Sequence, residues 1–213
     1  MRIAVIGSSG RSGRAVVRAA LARGHEVTAT VRSPEKADVL GPADRRVRIV
    51  IAAVEDVDSL RRALAGADAV AFCVGPGKGH PSTVQSDGIA TCLTALDGSS
   101  CQRLVALSAS GLVAERGDDP VLRYLAKPIL QRVLAEMFTD LAVMEERLVA
   151  SDLDWTIIRP PRLREGTAKG RYRSGVGRGV PFGLSITYAD LGTAFVDLIE
   201  DATTIRRAVT VAN

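Results

Sequence analysis

The stretch Gly7-Ser8-Ser9-Gly10-Arg11-Ser12-Gly13 constrains the fold more than any other part of the chain. It follows the apolar run Ile3-Ala4-Val5-Ile6 and leads into Arg14-Ala15-Val16-Val17-Arg18-Ala19-Ala20-Leu21, an order that reads strand, glycine-rich turn, helix. Glycines permit the tight turn, the close approach of a ligand and the packing of helix on strand. Such a turn gathers backbone N–H groups and the positive end of a helix dipole at one spot, where a diphosphate fits. The alternative is a strand-to-helix turn that binds nothing. Its place at the start of an amphipathic helix, directly after a strand, favours the ligand reading.

Downstream, strands and helices alternate. Glu26–Val31 reads as the second strand, closed by Arg32-Ser33-Pro34 and a short helix through Leu40. Residues 46–51 alternate as a third strand, and 57–64 show helical spacing. Ala69 to Val74 is a continuous apolar run, the signature of a central parallel strand covered on both faces. A loop at 75–81, a helix from about 83 to 97 and a fifth strand at 103–107 follow. A long helical stretch is expected over 119–151, with breaks at Lys127-Pro128 and near Thr139-Asp140. A sixth strand at 155–159 stops at Pro160-Pro161, and 162–183, rich in Gly and Arg, reads as loop with at most a short strand. The last helix is expected over 190–199 and the last strand over 208–211. This pattern predicts an α/β class, a Rossmann-like doubly wound parallel sheet with right-handed crossovers. No linker or repeat divides the chain, so residues 1–213 are expected to form one domain.

At 213 residues, 46% hydrophobic and 24% charged, the chain has the size and composition for one well-buried core. With only 4% aromatics, that core must be built from Ala, Val, Leu and Ile. A net charge of +4, spread over separated arginines, suits a local anionic ligand better than a nucleic-acid face. Cys73, Cys92 and Cys101 lack metal-ligand spacing, and no metal is expected. Neither a leader nor a membrane-length apolar run is evident, which makes the expected location cytoplasmic.

The residue after the second strand of a dinucleotide fold faces the adenosine ribose. Here it is Arg32, with Ser33 beside it, Lys36 one turn on and no carboxylate between Val27 and Pro34. A guanidinium matches a 2′-phosphate in bidentate fashion, so NADP(H) is expected in preference to NAD(H). The alternative is a solvated surface arginine.

At this level of detail the chain resembles a known family. The GxxGxxG spacing of Gly7 to Gly13 is similar to that of atypical short-chain dehydrogenases/reductases, in the NAD(P)H-binding, NmrA-like branch that includes biliverdin-IXβ reductase/flavin reductase. Residues 30–33, 65–70, 81–88, 151–161 and 189–192 carry the likeness along nearly the whole chain. The resemblance implies that Gly7, Ser9, Gly10, Arg11, Ser12 and Gly13 wrap the diphosphate. Arg32, with Lys36, would take the 2′-phosphate; Val74 and Gly75 would lie beneath the ribose, Pro160 near the nicotinamide, and Val54 completes the cofactor set. The acidic residue this branch usually places after the third strand falls on Ala53, with Glu55 and Asp56 slightly later.

The chemistry at the other end is less familiar. Tyr124 and Lys127 stand one residue closer than the Tyr-x-x-x-Lys pair of most short-chain dehydrogenases, a spacing that still shares one helix face. They are candidate catalytic groups, or else a Tyr packed on a surface Lys. Ser108 and Ser110, after the fifth strand, stand where the fold puts a substrate-orienting hydroxyl, with turn serines as the alternative. Arg162, in place of a His in the reductase, and Arg164 are candidates to clamp a substrate carboxylate or phenolate. His80 and Tyr188 are the remaining substrate-site candidates, and the pocket is expected from loops about 108–128 and 160–188. These features imply an NADPH-dependent reductase of a flat conjugated acceptor: a flavin, a quinone or a tetrapyrrole-like molecule. A non-catalytic NADP(H)-binding sensor of NmrA type and a biosynthetic ketoreductase, epimerase or dehydratase are the competing readings. A small-molecule substrate is expected, with neither nucleic acid nor membrane as partner, and a monomer or homodimer.

Overall fold

The computed structural model describes residues 1–41, 44–77, 83–112, 132 and 134–213. The main sheet is built from β1 (Arg2–Ile6), β2 (Glu26–Val31), β3 (Val47–Ile51), β4 (Ala69–Phe72), β5 (Arg103–Leu107), β6 (Asp154–Arg159), β8 (Arg173–Val176) and β10 (Arg207–Ala212). Their order is β3-β2-β1-β4-β5-β6-β10-β8. All neighbours run parallel except β8, which lies antiparallel on β10 at the edge. The expected α/β doubly wound architecture is therefore present. Two details differ from the expectation of a single all-parallel sheet: the antiparallel edge strand, and a separate parallel ribbon of β7 (Arg162–Arg164) and β9 (Ser185–Thr187).

Among the described residues, five helices flank the sheet: α1 (Arg11–Ala22), α2 (Val57–Leu64), α3 (Val84–Leu96), α4 (Ala135–Val149) and α5 (Tyr188–Glu200). The apolar runs of β1 and β4 are buried on both faces because each face carries its own core. On one side, Ala4, Ile6 and Phe72 meet Leu60 of α2, Ile89 of α3 and Met144 of α4. On the other, Ile3 and Val5 meet Val16 of α1 and Phe195 of α5. Gly192 allows α1 and α5 to touch, since a Cβ there would stand 2.4 Å from the Ala15 carbonyl oxygen. The expected short helix before Leu40 is instead two 3-10 turns, Pro34–Lys36 and Asp38–Leu40. α4 runs unbroken through Thr139 and Asp140. There Asp140 is needed inside the fold: its buried carboxylate accepts from the backbone N–H groups of Gln85 and Ser86, both at 2.9 Å. It thereby caps α3, whose own N-cap residue Thr83 makes no side-chain cap bond. Among the described residues, no helix is long and apolar enough to cross a membrane.

A second buried carboxylate fixes the C-terminal loops. Asp190, 2% exposed, accepts from the backbone N–H of Lys169 (3.0 Å) and Gly170 (3.1 Å), the Thr187 hydroxyl (2.7 Å) and the Asn213 amide (2.7 Å). Burial opposes its charge, but the Lys169 N–H, Thr187 hydroxyl, Asn213 amide and Gly170 N–H outweigh that cost and hold its pKa below the usual carboxylate range. A carboxyl with a lowered folded-state pKa stabilises the fold above its unfolded value and loses that contribution as pH falls through the folded one. Asp190→Asn should therefore lower the urea midpoint at neutral pH, and the gap between variant and parent should shrink progressively below about pH 4. A gap that stays constant from neutral to acid pH would contradict this role for the charge.

Candidate functional site

The chain leaves β1 toward β2 and β3, then returns to the far side of β1 as β4. The reversal places a crevice at the carboxyl ends of β1 and β4, where open parallel sheets bind ligands. The turn after β1 is squeezed into this crevice. Gly7 has φ of +80°, and a Cβ there would lie 2.8 Å from the Cys73 carbonyl oxygen, at the end of β4. A Cβ on Gly13 would lie 2.2 Å from the Gly7 carbonyl oxygen, so helix and turn pack backbone to backbone. Ser8, completely buried, donates from its hydroxyl to the Thr30 carbonyl at 2.6 Å and ties the turn to β2. Gly10, the N-cap, offers no side chain to the helix start, and the first turn of α1 holds no acidic residue. The first N–H groups and the positive helix end are thus left for an external anion.

Beside this turn lies a cavity of about 280 Å³. It is bounded by the turn residues Gly7, Ser9 and Gly10, by Arg32 and Lys36 after β2, and by Val54, Val74 and Gly75 after β3 and β4. Eight residues expected from sequence to hold a dinucleotide are thereby brought to one place. Glu55 also lines it, supplying a carboxylate on the wall after β3, while Asp56 is used to cap α2 through the N–H groups of Asp58 and Ser59. Behind the cavity, the Gln85 side-chain amide donates to the Val74 carbonyl at 3.2 Å, so the Asp140-capped end of α3 steadies this wall. Cys73 reaches the lining too, but burial pushes its thiol pKa up and keeps it protonated.

Four other residues of the expected cofactor set stand outside that cavity. Ser12 and Gly13 are buried beneath the turn. Arg11 turns its side chain away, toward Glu165 at 3.5 Å and over the Tyr188 ring, 5.0 Å from its centroid. Pro160 is buried after β6, where its carbonyl accepts from the Ser110 N–H at 2.9 Å.

At the end of β5, the Ser108 hydroxyl donates to Glu145 of α4 at 2.5 Å, and Arg159 pairs with the same carboxylate through Nε (3.0 Å) and Nη2 (2.5 Å). All three are largely buried, so the Ser108 hydroxyl is held inside a closed network rather than offered outward. A buried guanidinium requires a carboxylate, and Arg159 beside Pro160 was the one signal of this partnership in the sequence. Ser110 is half-buried. Arg162 and Arg164 alternate with Leu163 on β7 and are both exposed, whereas Leu163 packs on the core. Tyr188 opens α5 and lies against Arg11, away from the glycine cavity. His80, Tyr124 and Lys127 lie outside the described residues.

Comparison with known proteins agrees with this geometry. A family model described as NAD(P)H-binding matches residues 7–202. The oxidoreductase ptaF of Pestalotiopsis fici is 26% identical over 94% of this chain and 79% of its own length. A Burkholderia pseudomallei protein, proposed in its description to be exported, is 27% identical, with a TM-score of 0.82 and complete coverage of both chains. A proposed NADH-flavin reductase of Streptococcus pneumoniae is 24% identical, with a TM-score of 0.81 over 100% of this chain and 99% of that one. With a glycine turn, an open helix start and a matching family model over most of its length, the chain belongs to the NAD(P)H-binding family.

Proposed function

We propose that this protein is an oxidoreductase that draws hydride from NADPH and passes it to a flat conjugated acceptor of flavin, quinone or tetrapyrrole type. The observation that carries the cofactor half is the single cavity shared by the glycine turn, Arg32 and Lys36. Backbone N–H groups of the turn and the start of α1 hold the diphosphate, and the two cations hold a 2′-phosphate. Val54 and Val74 supply apolar walls for the adenosine, with Glu55 as an acceptor beside them. When bound, the nicotinamide supplies a hydride at its ring carbon.

The chain's own part in the transfer is to position the reactants. The Glu145–Arg159 pair pins α4 to the end of β6, and with it Ser108 and the Pro160 segment. Ser108 is spent in that network, so among the described residues of the β5 end Ser110 is the hydroxyl left to orient an acceptor. A conjugated acceptor suits this arrangement, because solvent can supply its proton once hydride has arrived. Arg162 and Arg164, on the exposed face of β7, stand ready to pair with an acceptor's carboxylate or phenolate. The oxidoreductase relative and the flavin-reductase description of the streptococcal protein support the same class.

Incubating the purified protein with NADPH and, in turn, FMN, FAD, quinones and biliverdin should show oxidation at the nicotinamide absorbance band with at least one of them. Tight NADPH binding with no oxidation by any acceptor would point instead to a sensor. Arg32→Asp should weaken NADPH by about tenfold or more and leave NADH within about threefold, as loss of a charge-assisted pair to phosphate requires. An unchanged preference would sink the 2′-phosphate assignment. Ser108→Ala should chiefly lower thermal stability, by leaving Glu145 one donor short, whereas Ser110→Ala should chiefly raise KM for the acceptor.

A further inference from the structure

We propose that the outer surface between α1 and α5 is a second ligand site, separate from the glycine cavity, for a small molecule carrying two or more carboxylate or phosphate groups. A groove of about 400 Å³ runs there and shares no lining residue with the dinucleotide cavity. One wall is α1, on which Arg11, Arg14 and Arg18 follow at three- and four-residue spacing and so share a face. Their Cα positions span about 10 Å along the helix axis, a length that a dianion can bridge. The floor is small: Ala15, Ala19 and Ala189 leave the space between the cations unfilled.

The charges in this groove are unbalanced. Among the described residues, Arg14 and Arg18 make no ion pair, and α1 contains no acidic residue. Among the described residues, Arg11 makes an ion pair with Glu165 alone, at 3.5 Å, with the two side chains 60% and 73% exposed, which is the geometry of a weak pair. Its guanidinium is meanwhile held over the Tyr188 ring, which fixes its place without neutralising it. Glu165 thus marks the spot as one that accepts an oxyanion, and acts as a built-in competitor for it. The opposite wall is not loose. The loop bearing Glu165 is anchored four and five residues later, where Asp190 takes the N–H groups of Lys169 and Gly170 next to Ala189 and Tyr188. A row of three cations, an aromatic rest and a tethered wall together form a receptor for a dianion.

The test is an amide NMR titration of the full chain at constant ionic strength, with inorganic pyrophosphate in one series and citrate in another. Saturable shifts are expected at the amides of Ala15, Ala19, Gly166 and Thr193, from whichever of the two probes carries the preferred oxyanion. Arg18→Glu should weaken that binding by about tenfold, through loss and reversal of a charge. Glu165→Gln should tighten it by about two- to fivefold, through removal of the competing carboxylate. Shifts confined to residues 7–10, shifts that grow without saturating, or a Glu165→Gln variant that binds no better would overturn the proposal. The amides of Gly7, Ser9 and Gly10 line the dinucleotide cavity and report it separately, so loss of one site is not mistaken for loss of the other.

Discussion

Backbone contact between the turn after β1, the end of β4 and the start of α1 is the constraint on which the rest of this molecule depends. Three segments meet with no side chain between them, at Gly7, Gly13 and the Cys73 carbonyl. Once they meet, the direction of α1 is set and the crevice at the strand ends has its depth. The turn cannot relax outward, because the buried Ser8 hydroxyl holds it to β2. An anion site of backbone N–H groups is effective only when those groups are preorganised, and this packing supplies the preorganisation.

Around this turn, the longer connections are tied down by buried charge. Asp140, Glu145 and Asp190 are each buried, and each is paid back by donors from a different element. Asp140 joins α4 to α3, Glu145 joins α4 to β5 and β6, and Asp190 joins α5 to the loop before β8. These carboxylates cross the molecule at the places where its long connections return to the sheet. A core rich in Ala and Val has few large side chains with which to lock such returns, and directional bonds serve instead.

The legible part of the fold was the part written in local pattern. The run Arg103–Leu107 is bounded by polar turns and became β5 with those ends. Val57–Leu64 follows helical spacing and became α2. The ribbon of β7 and β9 was not legible, because three-residue strands in a Gly- and Arg-rich stretch carry no periodicity and pair only through tertiary contact. The continuity of α4 through Asp140 was hidden for a related reason: a polar residue in mid-helix looks like a break until its partners on α3 are known. Within the site, the glycine turn, Arg32 and Lys36 announced their cavity because they follow strands directly. Ser108 did not announce Glu145, which lies 37 residues away, and the first position of a helix does not reveal which way Arg11 turns.

The tether at Asp190 also bears on how such a scaffold can diversify. Its two bonds to the loop go to the main chain of Lys169 and Gly170, not to their side chains. A main-chain N–H is present whatever residue, other than proline, stands at the position. Exposed neighbours such as Glu165 and Lys169 can therefore be exchanged without releasing the loop from its mooring. Affinity for one ligand or another can be rewritten on this wall while the frame behind it stays the same.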